Sequence, residues 1–148
     1  MTAAERIRLN STAEPADPST VTTRAEVLIV DDDPDIRAML EFTLGAEFAV
    51  RLAGGGAEAI AELERRPPAA MVLDVMMEGV DGYDVLEARR SRGLAPDTVV
   101  VMLTCKTDER DLVRSWALGA DAYLAKPTDP EVVAAKIRDH LTNAVTSS

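Results

Sequence analysis

The chain has 148 residues, 47% hydrophobic and 28% charged, which is room for one globular domain and too apolar for a disordered chain. No apolar run approaches the ~20 residues of a membrane span, the N-terminus MTAAERIRLN carries charge where a signal peptide needs an apolar stretch, and a single cysteine, Cys105, excludes an intrachain disulfide and any multi-cysteine metal site. The net charge is −10, and since acids and bases balance in residues 1–24 the excess lies in 25–148, giving a surface that repels nucleic acid and acidic membranes. The expectation is a cytoplasmic protein that contacts neither directly.

Residues 1–24 are rich in Ser, Thr, Ala and Pro and show no sustained period, which predicts a flexible tail ahead of one domain over 25–142 and a short polar tail over 143–148. VLIV (Val27 to Val30) is a continuous apolar run, as in a strand buried on both faces of a parallel sheet. Three aspartates and Pro34 follow, then a helical pattern with Ile36, Met39, Leu40 and Leu44 on one face, closed by Gly45. The unit then repeats. Strands are predicted at Phe48 to Ala53, Ala69 to Leu73, Thr98 to Leu103 and Ala122 to Ala125. Helices are predicted at Ala57 to Arg65, about Tyr83 to Ser91, Glu109 to Leu118 and Pro130 to about Leu141, the last capped by Asp129. Strands alternating with helices predict an α/β fold, a doubly wound parallel sheet with right-handed crossovers, whose ligands bind beyond the carboxyl ends of the strands.

At those ends stand Asp31, Asp32 and Asp33 after the first strand, Asp74 after the third, Thr104 after the fourth and Lys126 after the fifth. If these four strands are neighbours, the groups converge on one crevice. An acidic trio on a loop is by itself most simply a solvated charge run. Asp74 tips the balance, because it ends the apolar run MVLD, where an uncompensated carboxylate is costly. Clustered carboxylates repel unless a cation sits among them, and Mg²⁺ suits oxygen ligands of this kind. Lys126 is one of only three lysines against thirteen arginines and stands before Pro127, where the peptide bond can be cis. A compact ammonium facing acids reads as a contact for a phosphoryl group, or as a salt bridge to an aspartate, and both roles are compatible. An ionised carboxylate can attack phosphorus without a general base, so the set reads as a phosphoryl-transfer site with Asp74 as nucleophile. The sole histidine, His140, falls in the last helix, far from the crevice and on the expected surface, so the donor is external.

VLIVDDDPDIR, VLDVMMEGVDGYDVL, VVMLTCK and GADAYLAKP resemble, in order and spacing, the four signature segments of two-component response-regulator receiver domains, over about residues 25–142. The resemblance implies a (βα)5 flavodoxin-like sheet of order 2-1-3-4-5, which a relative exemplifies. It implies Mg²⁺ on Asp31 and Asp32 (one directly, one through water), on Asp74 and on the backbone carbonyl of Met76. It implies Asp74 as phosphoacceptor, Thr104 as the switch hydroxyl, Lys126 as the phosphate contact and Tyr123 as the switch aromatic. The implied partners are a sensor histidine kinase or phosphotransfer protein as donor, and a downstream protein on the face of the fourth helix, fifth strand and fifth helix. A phosphorylation-dependent homodimer is compatible with that face. The implied protein is a switch rather than an enzyme, although it promotes its own phosphotransfer and autodephosphorylation with Mg²⁺. It is either a stand-alone receiver or part of a longer regulator.

Two positions depart from the family pattern: Glu78 where Pro is usual, and Cys105 where a small Ala is usual. Glu78 adds charge and a freer backbone, while Cys105 is expected to be a small packed hydrophobe. Lys106 is expected to overhang the site, and Trp116 to pack near Tyr123. Gly54-Gly55-Gly56 weakly echoes a dinucleotide fingerprint but follows the second strand, so it is read as a tight turn. An aspartate-based phosphatase would want a second acid two residues after its nucleophile, where Met76 stands. A pseudo-receiver would lack the acceptor, an acid or the lysine, and all are present.

Overall fold

A computed structural model describes residues 24–105 and 109–147, with side chains as far as residue 143. The predicted tail, but for Arg24, and Lys106 lie outside the described residues. Within them, strands β1 (Glu26–Val30), β2 (Ala49–Ala53), β3 (Ala70–Asp74), β4 (Val99–Thr104) and β5 (Ala122–Ala125) alternate with helices α1 (Pro34–Leu44), α2 (Gly56–Arg65), α3 (Gly82–Arg92), α4 (Glu109–Ala117) and α5 (Pro130–Ser147). All neighbouring strands pair in parallel, in the order β2-β1-β3-β4-β5. This is the predicted flavodoxin-like order.

The apolar runs bury both faces by alternation, since successive strand residues point to opposite sides. Leu28, Val30, Met71, Leu73, Val100 and Met102 face one layer, where Ala59 and Leu63 of α2 and Tyr83 and Leu86 of α3 meet them. Val27, Ile29, Val72, Val99, Val101 and Leu103 face the other, packed on Leu40 and Leu44 of α1 and Val133 and Ile137 of α5. The central strands β1, β3 and β4 are therefore dry on both sides, while the edge strands β2 and β5 keep partly exposed residues.

Local chemistry sets the helix ends. Asp33 caps α1 by accepting from the Asp35 N–H at 2.9 Å, and Asp129 caps α5 by accepting from the Glu131 N–H at 2.9 Å. Asp81 and Asp84 form a reciprocal capping box on α3, which ends at Gly93 in the left-handed conformation. Three expectations change. Helix α5 runs on to Ser147, past the end predicted near Leu141. Met39, placed on one face of α1 with Ile36, Leu40 and Leu44, is exposed because the inward stripe is carried by Leu40 and Leu44. Trp116 is 45% exposed rather than packed, because Ser115 is the α4 residue that turns inward. Among the described residues no helix is long and apolar enough to cross a membrane.

Candidate functional site

The strand order leaves β2 at an edge and makes neighbours of the four strands whose ends carry chemistry. Val30 pairs with Leu73, so Asp31, one residue on, stands beside Asp74; Asp74 in turn pairs with Leu103, which precedes Thr104. Asp31 is 1% exposed, Asp74 4% and Thr104 fully buried, whereas Asp32 is exposed. One carboxylate oxygen from each of Asp31, Asp32 and Asp74 lies within 4.8 Å of the others. Asp33, the third of the acidic trio, is spent on the α1 cap.

Lys126 follows β5, and its peptide bond to Pro127 is cis. Its backbone N–H donates to the Thr104 carbonyl at 2.8 Å, which ties the fifth strand's end to the fourth. Its Nζ reaches Asp31 Oδ2 at 2.9 Å and Asp74 Oδ1 at 3.1 Å. The Asp31 Oδ1 accepts from the Asp33 N–H at 2.9 Å, and Asp32 Oδ2 accepts from the Glu78 N–H at 3.4 Å. One ammonium thus faces two buried carboxylates, with a third close by.

The electrostatics follow from that imbalance. Burial pushes the Asp74 carboxyl up to about 6, and the charge of Asp31 adds to it, against the opposing pull of Lys126 and of a hydrogen bond from the Met76 backbone. Burial works to lower the Lys126 amine, but its hydrogen bonds and charge contacts with Asp31 and Asp74 outweigh this and leave it raised, so it stays protonated at neutral pH. Excess negative charge held by hard oxygens is what a small divalent cation neutralises, and the donor set fits Mg²⁺ with water completing the shell.

Two glycines set the loop between β3 and α3. A Cβ on Gly82 would stand 2.5 Å from the Asp74 carbonyl oxygen, and one on Gly56 would stand 2.2 Å from that of Val80. Close backbone approach at both points clamps the segment Val75 to Val80 beneath α2 and α3. Gly54-Gly55-Gly56 is expected from sequence only as a tight turn; the contact of Gly56 with Val80 is between elements far apart in the chain and leaves no local signal. Cys105, expected to be packed, is exposed, because it stands just past the end of β4. It borders an apolar cleft of about 300 Å³ with Ile36, Met39 and Pro127. Tyr123 lies in β5, paired with Met102, and is half-buried. His140, expected on the surface, is half-buried in a cleft with Thr98 and Val99 at the opposite end of the sheet, far from Asp74. Arg37, which donates from Nη1 to the Asp31 carbonyl at 2.6 Å, went unnoticed in the sequence.

Residues 27–138 match the family model described as response regulator receiver domain. The chain is 37% identical over 121 residues to the DNA-binding response regulator MtrA of Mycolicibacterium smegmatis, covering 81% of this chain and 52% of that protein. It is 35% identical over 124 residues to the response regulator Rre1 of Synechocystis, covering 82% and 54%. It thus spans about half the length of the curated relatives it matches. Among solved structures, the Vibrio cholerae chemotaxis protein CheY4 superposes with a TM-score of 0.74 at 31% identity, covering 79% of this chain and 98% of that one. A CheY-like receiver domain protein from Methanospirillum hungatei gives 0.78 at 26% identity, covering 85% and 100%. With its sheet order, its acidic crevice and these matches in agreement, the chain belongs to the response regulator receiver domain family of two-component signalling.

Proposed function

We propose that this receiver domain takes a phosphoryl group on Asp74, from a histidine kinase or phosphotransfer protein, and responds by changing the face formed by α4, β5 and α5. The observation that carries this is the position of Asp74: a buried carboxylate at a strand end, 3.1 Å from Lys126 and clustered with Asp31 and Asp32. Asp31, Asp32, Asp74 and the Met76 carbonyl would hold Mg²⁺. When bound, the ion supplies charge neutralisation for the carboxylates and for the equatorial oxygens of the phosphoryl group.

The chain's own groups do the rest. An Asp74 oxygen attacks phosphorus, the bond to the donor breaks, and the donor leaves with its electron pair; no proton has to be removed from the nucleophile. Lys126 already rests against Asp74 Oδ1, so its ammonium meets a new phosphoryl oxygen with little travel. The Thr104 hydroxyl, at the end of the adjacent strand, is the proposed donor to another. Moving Thr104 and Lys126 toward the phosphoryl group shifts the ends of β4 and β5, and with them α4 and Tyr123. The domain in this role is a switch that assists its own phosphorylation and dephosphorylation, not a conventional enzyme, and a cytoplasmic site of action goes with it.

MtrA is by its name a DNA-binding regulator, and this chain matches only about half of it. The −10 charge favours protein contacts over DNA contacts for the present domain, whether it acts alone or within a longer regulator. The test is intact-mass analysis after incubation with Mg²⁺ and acetyl phosphate. One added phosphoryl group is expected on the wild type and none on Asp74→Asn, a nearly isosteric change. Undiminished labelling of Asp74→Asn would remove Asp74 as acceptor.

A further inference from the structure

The Asp31 carbonyl lies just past the end of β1, and Arg37, in the first turn of α1, donates to it from Nη1 at 2.6 Å. Arg37 also ties this corner through its backbone, whose N–H donates to the Asp33 carbonyl at 3.1 Å. The carbonyl it holds belongs to the peptide that joins Asp31 to Asp32. Asp31 is independently fixed, by the Asp33 N–H and by Lys126. Asp32 is exposed, and among the described residues the hydrogen bond to its carboxylate is a long one, 3.4 Å from the Glu78 N–H. The peptide plane ahead of it, which Arg37 holds, sets the position of the Asp32 Cα from which that carboxylate reaches the cluster.

The guanidinium gets there by crossing Gly54, after β2. A Cβ at Gly54 would stand 3.3 Å from Arg37 Nη1 and 3.4 Å from Glu58 Oε1, which accepts from the Gly54 N–H at 2.9 Å. Gly54 is not among the glycines in the left-handed conformation, so its backbone does not demand glycine. What its missing side chain provides is room for Arg37. This accounts for one glycine of the triplet that the turn alone left unexplained.

We propose that Arg37 is a positioning residue for the divalent-cation site: seated over Gly54, it holds the Asp31 carbonyl and so fixes the peptide that carries Asp32 into the cluster with Asp31 and Asp74. The inference rests on the cation site described under the proposed function. It has two opposing parts. A positive charge beside the cluster weakens cation binding, whereas the fixed peptide strengthens it. Hydrogen-bonded partners behind a metal ligand are worth 10- to 100-fold in affinity, more than one partly exposed charge acting across solvent, so positioning wins.

Mg²⁺ affinity is measured by isothermal titration calorimetry on the full chain, with thermal unfolding in EDTA as the control for folding. Arg37→Ala should bind Mg²⁺ about tenfold more weakly, with the metal-free midpoint little moved. Arg37→Lys, which keeps a donor and the charge, should recover part of the loss. Gly54→Val leaves the charge intact but crowds the guanidinium, and should weaken binding in the same direction. Unchanged or tighter binding in Arg37→Ala, or wild-type binding in Gly54→Val, would overturn the proposal. If instead the wild type binds no Mg²⁺, or Asp32→Asn binds as well as the wild type, the cation site itself fails.

Discussion

At the scale of single residues, the site is an electrostatic conflict that the fold tolerates for use. The raised Asp74 carboxyl has a definite consequence for stability. Its ordinary value is 3.8 and its folded, metal-free value about 6, so between these the folded state binds the extra proton. This group's contribution is therefore most favourable below the lower value, falls as pH rises through the interval, and remains a cost at neutral pH. Asp74→Asn removes the cost. We expect it to raise metal-free stability at pH 7 by ~1–3 kcal/mol, measured by urea unfolding in EDTA, and to flatten the pH slope. A less stable Asp74→Asn would mean that the lysine contact outweighs burial. The opposite change is Lys126→Ala, which leaves Asp31 and Asp74 facing each other without their cation. Removing one partner of a fully buried pair costs about 3–5 kcal/mol; Lys126 keeps 18% exposure, so roughly 2–3 kcal/mol is expected. The same variant should still accept some phosphoryl group while losing the conformational response, followed by Trp116 fluorescence on adding beryllofluoride. A full response would dismiss Lys126 as the reader.

At the scale of elements, function depends on how closely helices sit on strand ends. Helix α3 begins against the Asp74 carbonyl, and only a glycine at its first position allows that approach. The atoms a Gly82 side chain would strike are backbone, the Asp74 carbonyl oxygen and the Val75 Cα, so no side-chain rotation relieves the clash. Gly82→Ala should cost about 1–3 kcal/mol and displace the end of β3, so that stability and phosphorylation by acetyl phosphate fall together. Gly55→Ala, where a Cβ meets nothing within 4 Å, is the matched control: it should cost only what a poorer N-cap costs, about 0.5–1 kcal/mol, and leave phosphorylation unchanged. Equal effects at both positions would mean that general glycine flexibility, not close approach, is what Gly82 provides.

At the scale of the whole molecule, the −10 charge surrounds an acidic crevice and bears on every anion that enters it. Acetyl phosphate must approach against that field, which salt screens over a Debye length of about 8–10 Å near physiological ionic strength. At saturating Mg²⁺, the rate of phosphorylation by acetyl phosphate should rise with ionic strength. A rate that falls with added salt would show that local cations, not the net charge, govern donor entry.

Much of this was legible in the amino-acid sequence, because the signals concerned are local. Continuous runs such as VLIV and TVVVML mark strands buried on both faces; Asp129 before Pro130 marks a helix start; Asp74 after MVL puts a charge at the end of an apolar strand. The alternation of these elements determined the fold class, and the residues at the strand ends named the members of the crevice. The strand order, with β3 beside β1, comes from the family resemblance and not from any local signal, and it is what puts Asp31 beside Asp74; only packed side chains show Lys126 bridging the two. The exposure of Cys105 and Trp116, the clearance at Gly56 and Gly82, and the reach of Arg37 to the Asp31 carbonyl depend on neighbours distant in the chain. Periodicity and caps report what a residue does to its own element; burial and close approach are set by which other elements arrive, and that is a property of the folded molecule.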